Sequence, residues 1–258
     1  MLYICLPSHN ESATVGVLLW RIRQVFQEYS REYEVLVYDD ASTDATRETL
    51  EPYKKVMPLE VIGGSARVGY AGAVHALLRA ASAKTRYPRR DAVALMQADL
   101  TEGPDQLPEF VKRFEGGADL VLSDRARAES PPEPLRKLHR NLSWAKRSWP
   151  LNAFVGVPGV ADPFATLRLI RLTVVRDVLA AREARRWQPE LDTATASANA
   201  ELTREVLAHA RRTESVPTRE RWDLRLRETR TDAWRDAVKV VKRAWATRRT
   251  MPAPRKRG

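Results

Sequence analysis

With 258 residues, 43% of them apolar, the chain holds enough hydrophobic material for a full core, which excludes a disordered protein. The net charge of +11 raises nucleic acid as a partner, but 17 Lys+Arg against 7 Asp+Glu fall between Arg204 and Gly258, so the excess sits in the last quarter. No zinc-finger, helix-turn-helix or RNA-recognition pattern accompanies it, and nucleic acid is not expected. The one cysteine, Cys5, excludes an intrachain disulfide framework and fits a reducing cytoplasm, and no apolar run approaches the ~20 residues of a bilayer span.

In chain order, Leu2-Tyr3-Ile4-Cys5-Leu6 is a first apolar strand, with Cys5 as core packing, and it meets Pro7 too soon for a secretory signal. The loop Pro7-Ser8-His9-Asn10-Glu11 opens a helix over 12–28. Val35-Leu36-Val37 is a continuous apolar run, the pattern of a strand buried on both faces of a parallel sheet, and it delivers Asp39 and Asp40 at its carboxyl end. Open α/β sheets bind ligands there, and paired carboxylates need a cationic or hydroxylated partner. The plainer alternative is that Asp40, Ser42 or Thr43 caps the helix that follows over 44–53.

A strand over 59–62 leads into a glycine-punctuated turn, Gly63 to Gly72, whose Gly69 and Gly72 serve either a ligand or close helix–strand packing. A helix to about residue 83 follows. Ala92-Val93-Ala94-Leu95-Met96 is a strand delivering Gln97-Ala98-Asp99, then a helix runs over 105–114 and a strand over 118–122 ends in Ser123-Asp124-Arg125. This alternation predicts βαβ units and a mostly parallel α/β sheet flanked by helices.

Beyond it, Pro131-Pro132-Glu133-Pro134 breaks the chain. On the next helix Leu135, Leu138 and Leu142 share a face, while Arg136 and Arg140 stand four apart, placed to clasp a phosphate or to form a solvated basic face. A helix over 173–186, a polar, alanine-rich stretch over 192–200 and a helix over 202–211 follow. On a last helix over 232–246, Trp234, Val238, Val241 and Trp245 recur at helical spacing, flanked by Arg235, Lys239, Lys242 and Arg243. An interfacial membrane helix and a helix packed on its own domain both give that pattern. Arg255-Lys256-Arg257 adds to attraction for anionic lipid.

Taken together, Pro7 to Glu11, Tyr38 to Thr46, Val68 to Ala73, Gln97-Ala98-Asp99 and Gly117 to Arg125 stand in the order of the motifs of family 2 glycosyltransferases. Residues 2 to about 172 resemble that family, and in particular the dolichyl- or polyprenyl-phosphate sugar synthases. The resemblance implies a glycosyltransferase A-type (Rossmann-like) fold over 1–215, with 216–258 as a basic helical extension. It implies an inverting enzyme moving a sugar from a nucleotide-diphosphate sugar to a polyprenyl or dolichyl phosphate. Transfer to a soluble or protein-bound hydroxyl, and a non-catalytic nucleotide-sugar binding module, are the alternatives.

By the same resemblance Pro7, Ser8, His9, Glu11 and Ala98 line the nucleotide pocket, Asp39 accepts from the base, and Asp40 and Ser42 shape the adjoining loop. His9 stands where the family has tyrosine. Asp99 faces diphosphate and metal, and Gln97, replacing the first acid of the family's Asp-x-Asp, offers only a neutral oxygen, which implies a weakened Mg²⁺ or Mn²⁺ site. Arg125 and Arg136, with Arg140 or Ser143, are placed at the acceptor phosphate. Asp162 is the first candidate base for a hydroxyl acceptor, and Arg221, Arg225 and Arg227 occupy the place of a cationic loop near the nucleotide phosphates. The expected partners are a nucleotide-sugar donor, a lipid-phosphate acceptor, the membrane surface through the basic C-terminal helix, and a membrane-protein subunit or second copy. The expected location is cytoplasmic, peripheral at the inner face of the membrane.

Overall fold

A computed structural model describes residues 1–124, 133–134, 136–138, 140–141, 160, 162–224 and 232–247. Seven strands form one sheet: β1 (Leu2–Ser8), β2 (Tyr33–Asp40), β3 (Leu59–Gly64), β4 (Ala92–Leu95), β5 (Leu120–Asp124), β6 (Arg168–Arg171) and β7 (Thr213–Pro217). Their spatial order is β3-β2-β1-β4-β6-β5-β7. β1 pairs in parallel with β2 and β4, β2 with β3 and β5 with β7, while β6 runs antiparallel to both β4 and β5.

The central strands are apolar throughout because helices cover both faces. Leu2, Ile4, Leu6, Val35 and Val37 point into one core with α1 (Val15–Glu28), α2 (Thr46–Leu50) and α4 (Leu107–Glu115). The alternate residues Tyr3, Cys5, Leu36, Val93 and Leu95 point into the other, with α3 (Gly69–Lys84), α5 (Leu172–Ala184) and α6 (Thr195–His209). That two-residue alternation makes a continuous apolar run the mark of a strand buried on both sides.

Several elements differ from expectation. The helix expected over 44–53 ends as α2 and continues as a 3₁₀ turn, Glu51–Lys55, because Pro52 has no N–H to extend an α-helical ladder. The stretches over 192–200 and 202–211 form one helix, α6, and the strand expected over 118–122 is shifted to Leu120–Asp124. β6 and β7 had not been anticipated. β7 straddles the boundary expected after residue 215 and is paired with β5.

The last helix, α7 (Ala233–Thr247), packs on the body of the protein by a stripe one residue removed from the tryptophan stripe. Ala237, Val240 and Ala244 are buried, the first two joining Leu138, Phe164 and Ala200 in a small third core, whereas Trp234 is 73% and Trp245 51% exposed. No described helix is long and apolar enough to cross a membrane.

Candidate active site

Three neighbouring strand tips build the site. Ser8, the last residue of β1, lies in register with Asp39 of β2, and Asp40 with Gly64 of β3. On the other side of β1, Met96 donates its N–H to the Cys5 carbonyl at 3.2 Å, which delivers Gln97 and Ala98 beside the β1 tip. Each loop turns through a left-handed non-glycine residue just past its strand: Asn10 (φ 54°), Ala41 (φ 50°) and Leu100 (φ 63°). Such conformations cost on the order of 1–3 kcal/mol each and persist where surrounding bonds dictate them.

Those bonds stitch the β1 loop to the β2 loop. The Asn10 N–H donates to Ser42 Oγ at 2.9 Å, the Thr43 N–H to Asn10 Oδ1 at 2.8 Å, the Glu11 N–H to Thr46 Oγ1 at 2.8 Å and the Ser12 N–H to Asp44 Oδ2 at 3.1 Å. His9 Nδ1 lies 2.8 Å from the Asp40 carbonyl, and since a carbonyl only accepts, Nδ1 carries the hydrogen.

The two adjacent aspartates do different work. Asp39, 2% exposed, accepts the Ser42 N–H at 3.2 Å and Arg47 Nε at 3.1 Å. Asp40 accepts the N–H of Val68 at 2.6 Å and of Gly69 at 3.1 Å, with Arg67 Nε 3.5 Å away, and so pins the glycine turn to the tip of β2. Gly69 takes φ +73°, and a Cβ there would stand 2.3 Å from the Leu191 carbonyl oxygen. The turn therefore also seats the strap over residues 186–194, between α5 and α6.

These parts enclose a cleft of about 590 Å³. Pro7, Ser8, His9, Glu11, Asp40, Gln97 and Ala98 border it from the sheet side. Asp39 and Asp99 lie just behind this lining: Asp99, 1% exposed, accepts the Thr101 N–H at 3.1 Å. Ser8 Oγ, at the cleft wall, and Thr193 Oγ1, in the strap, are buried and make no hydrogen bond among the described residues.

Other expected residues fall elsewhere. Arg136 and Arg140 are exposed and do not border the cleft, whereas Leu138 between them is buried and does. Asp162 is half-buried, accepts the Phe164 N–H at 3.0 Å, and leaves Phe164 rather than itself on the cleft wall. Arg221 pairs with Asp223 at 2.7 Å on the surface. Arg125, Ser143, Arg225 and Arg227 lie outside the described residues.

The opposite wall went unnoticed in the sequence. It consists of Leu191 to Ala196, of Asp232 just before α7, and of Arg235, Asp236 and Lys239 on α7. Beneath it runs a buried polar chain. Gln97 Nε2 donates to Thr166 Oγ1 at 3.0 Å, Asn199 Nδ2 donates to the same oxygen at 3.0 Å, and the Tyr70 hydroxyl donates to Asn199 Oδ1 at 2.8 Å. Burial pushes the Tyr70 phenol up to about 12, so it stays a neutral donor. Arg168, fully buried, donates to Thr203 Oγ1 at 2.8 Å and to the carbonyls of Asn199, Thr166 and Ala165.

The strap is clamped from three helices. Arg182 of α5 donates to Glu205 of α6 at 2.6 Å and stacks 4.1 Å over Trp187. Trp187 Nε1 donates to Glu201 at 2.8 Å, Arg243 of α7 reaches Glu201 at 3.1 Å and also Glu190, and Lys239 reaches Asp192 at 2.9 Å.

For a metal, Gln97 and Asp99 supply hard oxygen donors, one neutral and one anionic, and the Gln97 nitrogen is already committed to Thr166. Among the described residues no group of three His, Cys, Asp or Glu stands together. With Asp99 behind the cleft lining and Gln97 alone at it, a Mg²⁺ or Mn²⁺ ion there would take most of its ligands from substrate phosphates and water.

A family model described as glycosyl transferase family 2 matches residues 3–179. The chain is 28% identical over 215 residues to an undecaprenyl-phosphate 4-deoxy-4-formamido-L-arabinose transferase of Pseudomonas paraeruginosa (strain DSM 24068 / PA7), covering 81% of this chain and 57% of the relative. The Pseudomonas fluorescens (strain Pf0-1) protein of the same description is 27% identical over 209 residues, with the same coverage of 81% and 57%. The chain thus spans little more than half the length of the curated relatives it matches. Among solved structures, a mannosyltransferase from Pyrobaculum calidifontis in complex with GDP-Man and Mn²⁺ superposes with a TM-score of 0.62 at 20% identity, over 98% of this chain and 65% of that one. Glucosyl-3-phosphoglycerate synthase from Mycobacterium tuberculosis, in complex with phosphoglyceric acid, gives 0.57 at 17% identity, over 95% and 80%. At such identities the likeness establishes the fold, the glycosyltransferase A-type, and the match over residues 3–179 establishes the rest: this chain belongs to glycosyl transferase family 2.

Proposed function

We propose that the chain transfers a sugar, with inversion, from a nucleotide-diphosphate sugar to a polyprenyl phosphate. One observation carries this reading: the tips of β1, β2 and β4 open on a single cleft of about 590 Å³, a volume suited to a ligand of nucleotide-sugar size. The orphaned Ser8 and Thr193 hydroxyls on its walls suit a hydroxyl-rich ligand. The curated relatives act on undecaprenyl phosphate by their description, which supports the acceptor class.

In this reading His9, held by the Asp40 carbonyl, presents its ring to the base, and the loop that Asp40 and Ser42 organise shapes the nucleotide pocket. Asp39 holds the loop through Ser42 on one carboxylate oxygen and Arg47 on the other, and each oxygen keeps a lone pair with which it would accept from the base. Gln97 and Asp99 would hold Mg²⁺ or Mn²⁺, which supplies charge neutralisation to the departing diphosphate. A phosphate acceptor is already an anion at neutral pH, so no side chain need remove a proton from it, and the chain's task is positioning and electrostatics. The protein acts at the inner face of a membrane as a peripheral enzyme, α7 turning its exposed Trp234 and Trp245 to the lipid.

Thermal shift with a panel of nucleoside diphosphates, with and without Mn²⁺, followed by transfer assays on polyprenyl phosphate with the sugars of the nucleotide that binds, tests the proposal. A selective, Mn²⁺-enhanced shift and a glycosylated lipid are expected. No stabilisation by any nucleotide overturns it, since a ligand that binds only the folded state must raise the melting temperature.

A further inference from the structure

The helix α7 presents three faces. Ala237, Val240 and Ala244 pack on the protein, Trp234 and Trp245 face outward, and Asp232, Arg235, Asp236 and Lys239 border the cleft. The last four follow the i, i+3, i+4, i+7 spacing of one helical stripe. The two acids are spent on the helix start: Asp232 Oδ1 accepts the N–H groups of Trp234 at 3.1 Å and Arg235 at 2.8 Å, and Asp236 Oδ2 accepts the Asp232 N–H at 3.2 Å. The two cations are not similarly committed. Arg235 has no ion-pair partner among the described residues, and Lys239 holds only the Asp192 carboxylate and carbonyl, each at 2.9 Å. With the Asp192 side chain 72% exposed, that rim pair is a weak one, which a phosphate can displace.

We infer that Arg235 and Lys239 are a phosphate-binding pair on the acceptor side of the cleft, holding the headgroup of a prenyl phosphate. Four residues apart, their side chains are neighbours on one face and can grip adjacent oxygens of one phosphate. The lipid source follows from the same helix. Trp234 adjoins Arg235 in sequence and Trp245 lies eleven residues further, about 16 Å along the axis, so an outward aromatic face stands beside the cleft mouth and sets it at a bilayer surface. This inference rests on the transferase reading and adds residues to it that no resemblance supplied.

Calorimetric titration of the full chain with geranyl phosphate, a soluble short prenyl phosphate, tests it, with a nucleoside diphosphate titrated in parallel. The double variant R235A/K239A is expected to bind geranyl phosphate at least about tenfold more weakly, the loss of charge-assisted hydrogen bonds, and to lose less affinity for the nucleoside diphosphate than for geranyl phosphate. Asp192→Asn separates a ligand role from a latch. Freed of its carboxylate, Lys239 should bind geranyl phosphate as tightly as wild type or tighter, whereas a merely structural Lys239–Asp192 latch predicts the same loss for D192N as for K239A. Equal affinity of the wild type for inorganic phosphate would overturn the lipid assignment. Undiminished geranyl phosphate binding by the double variant, or none by the wild type, would overturn the pair. A wild type that still binds nucleotide in that last case leaves the transferase reading standing, and one that binds neither ligand removes both.

Discussion

Replacing Asp40 by alanine should loosen the glycine turn before it touches any ligand. Its carboxylate, 3% exposed, accepts two backbone N–H groups, from Val68 at 2.6 Å and Gly69 at 3.1 Å, and faces Arg67 at 3.5 Å. Hydrogen bonds to a charged acceptor are worth ~1.5–3 kcal/mol each, and water reaching the half-buried Val68 would repair part of the loss, so Asp40→Ala should cost about 3 kcal/mol. For a domain of this size that corresponds to a fall of roughly 6–12 °C in melting temperature. Asp40→Asn keeps one acceptor oxygen but turns an NH₂ toward the other N–H, and should cost about half as much. Circular dichroism melts, checked by urea midpoints, measure the stability, and nucleotide titration of the same variants measures the cleft. A D40A melt within about 2 °C of wild type would refute the argument that this carboxylate tethers the turn. Lost nucleotide binding at unchanged stability would instead make Asp40 a direct ligand contact.

Three further outcomes follow from the same geometry. Gly69→Ala combines a left-handed φ of +73° with a Cβ 2.3 Å from the Leu191 carbonyl, so the strap must move by about 1 Å to reach ordinary contact. Nucleotide-sugar affinity should fall along with stability, while Gly64→Ala, whose nearest neighbour is 3.9 Å away, should change neither; equal effects would refute the strap's dependence on this turn. Glu205→Gln leaves Arg182 without its buried carboxylate and should cost about 3–5 kcal/mol by urea unfolding, with a loss under about 1 kcal/mol contradicting the clamp. His75, beside Arg182 at 3.2 Å, has its imidazole pushed down to about 4, first by burial and then by Arg182 and Arg79, from 6.5 when free. A depressed folded value means the neutral ring stabilises the fold above pH 6.5, and that contribution is lost as pH falls from there toward 4. His75→Gln should flatten the stability profile over that window, and an unchanged slope would show that His75 does not set it.

The sequence made legible those parts whose physics is local. β1, β2 and β4 announce themselves because burial on both faces demands unbroken apolar runs, and the loops after them carry the polar residues that register brings to one cleft. β6 hid because its four residues, Arg168-Leu169-Ile170-Arg171, begin and end with arginine, and only the fold reveals that Arg168 is buried and satisfied by Thr203 and backbone carbonyls. Ser197 and Asn199 gave the first part of α6 the look of a loop, although both are buried, and Tyr70 and Thr166 complete Asn199 from distant segments. On α7 the tryptophans drew attention to the wrong stripe, since small alanines pack closely on α6 with little hydrophobic signal. The division of labour between Asp39 and Asp40 was likewise invisible, because it depends on Arg47 lying beside one and the Val68–Gly69 backbone beside the other. The far wall of the cleft has no local signature, because a strap and a helix some forty residues apart build it together.

If three strand tips make one nucleotide-sugar site, a crystal structure with a bound nucleoside diphosphate and Mn²⁺ will show it. The base should lie beside His9 and the loop Asp40 organises, the diphosphate beside Gln97 and Ala98, and Ser8 Oγ should make a new hydrogen bond. Nucleotide bound outside the cleft, or in it but touching none of these residues, would contradict a site built from those tips.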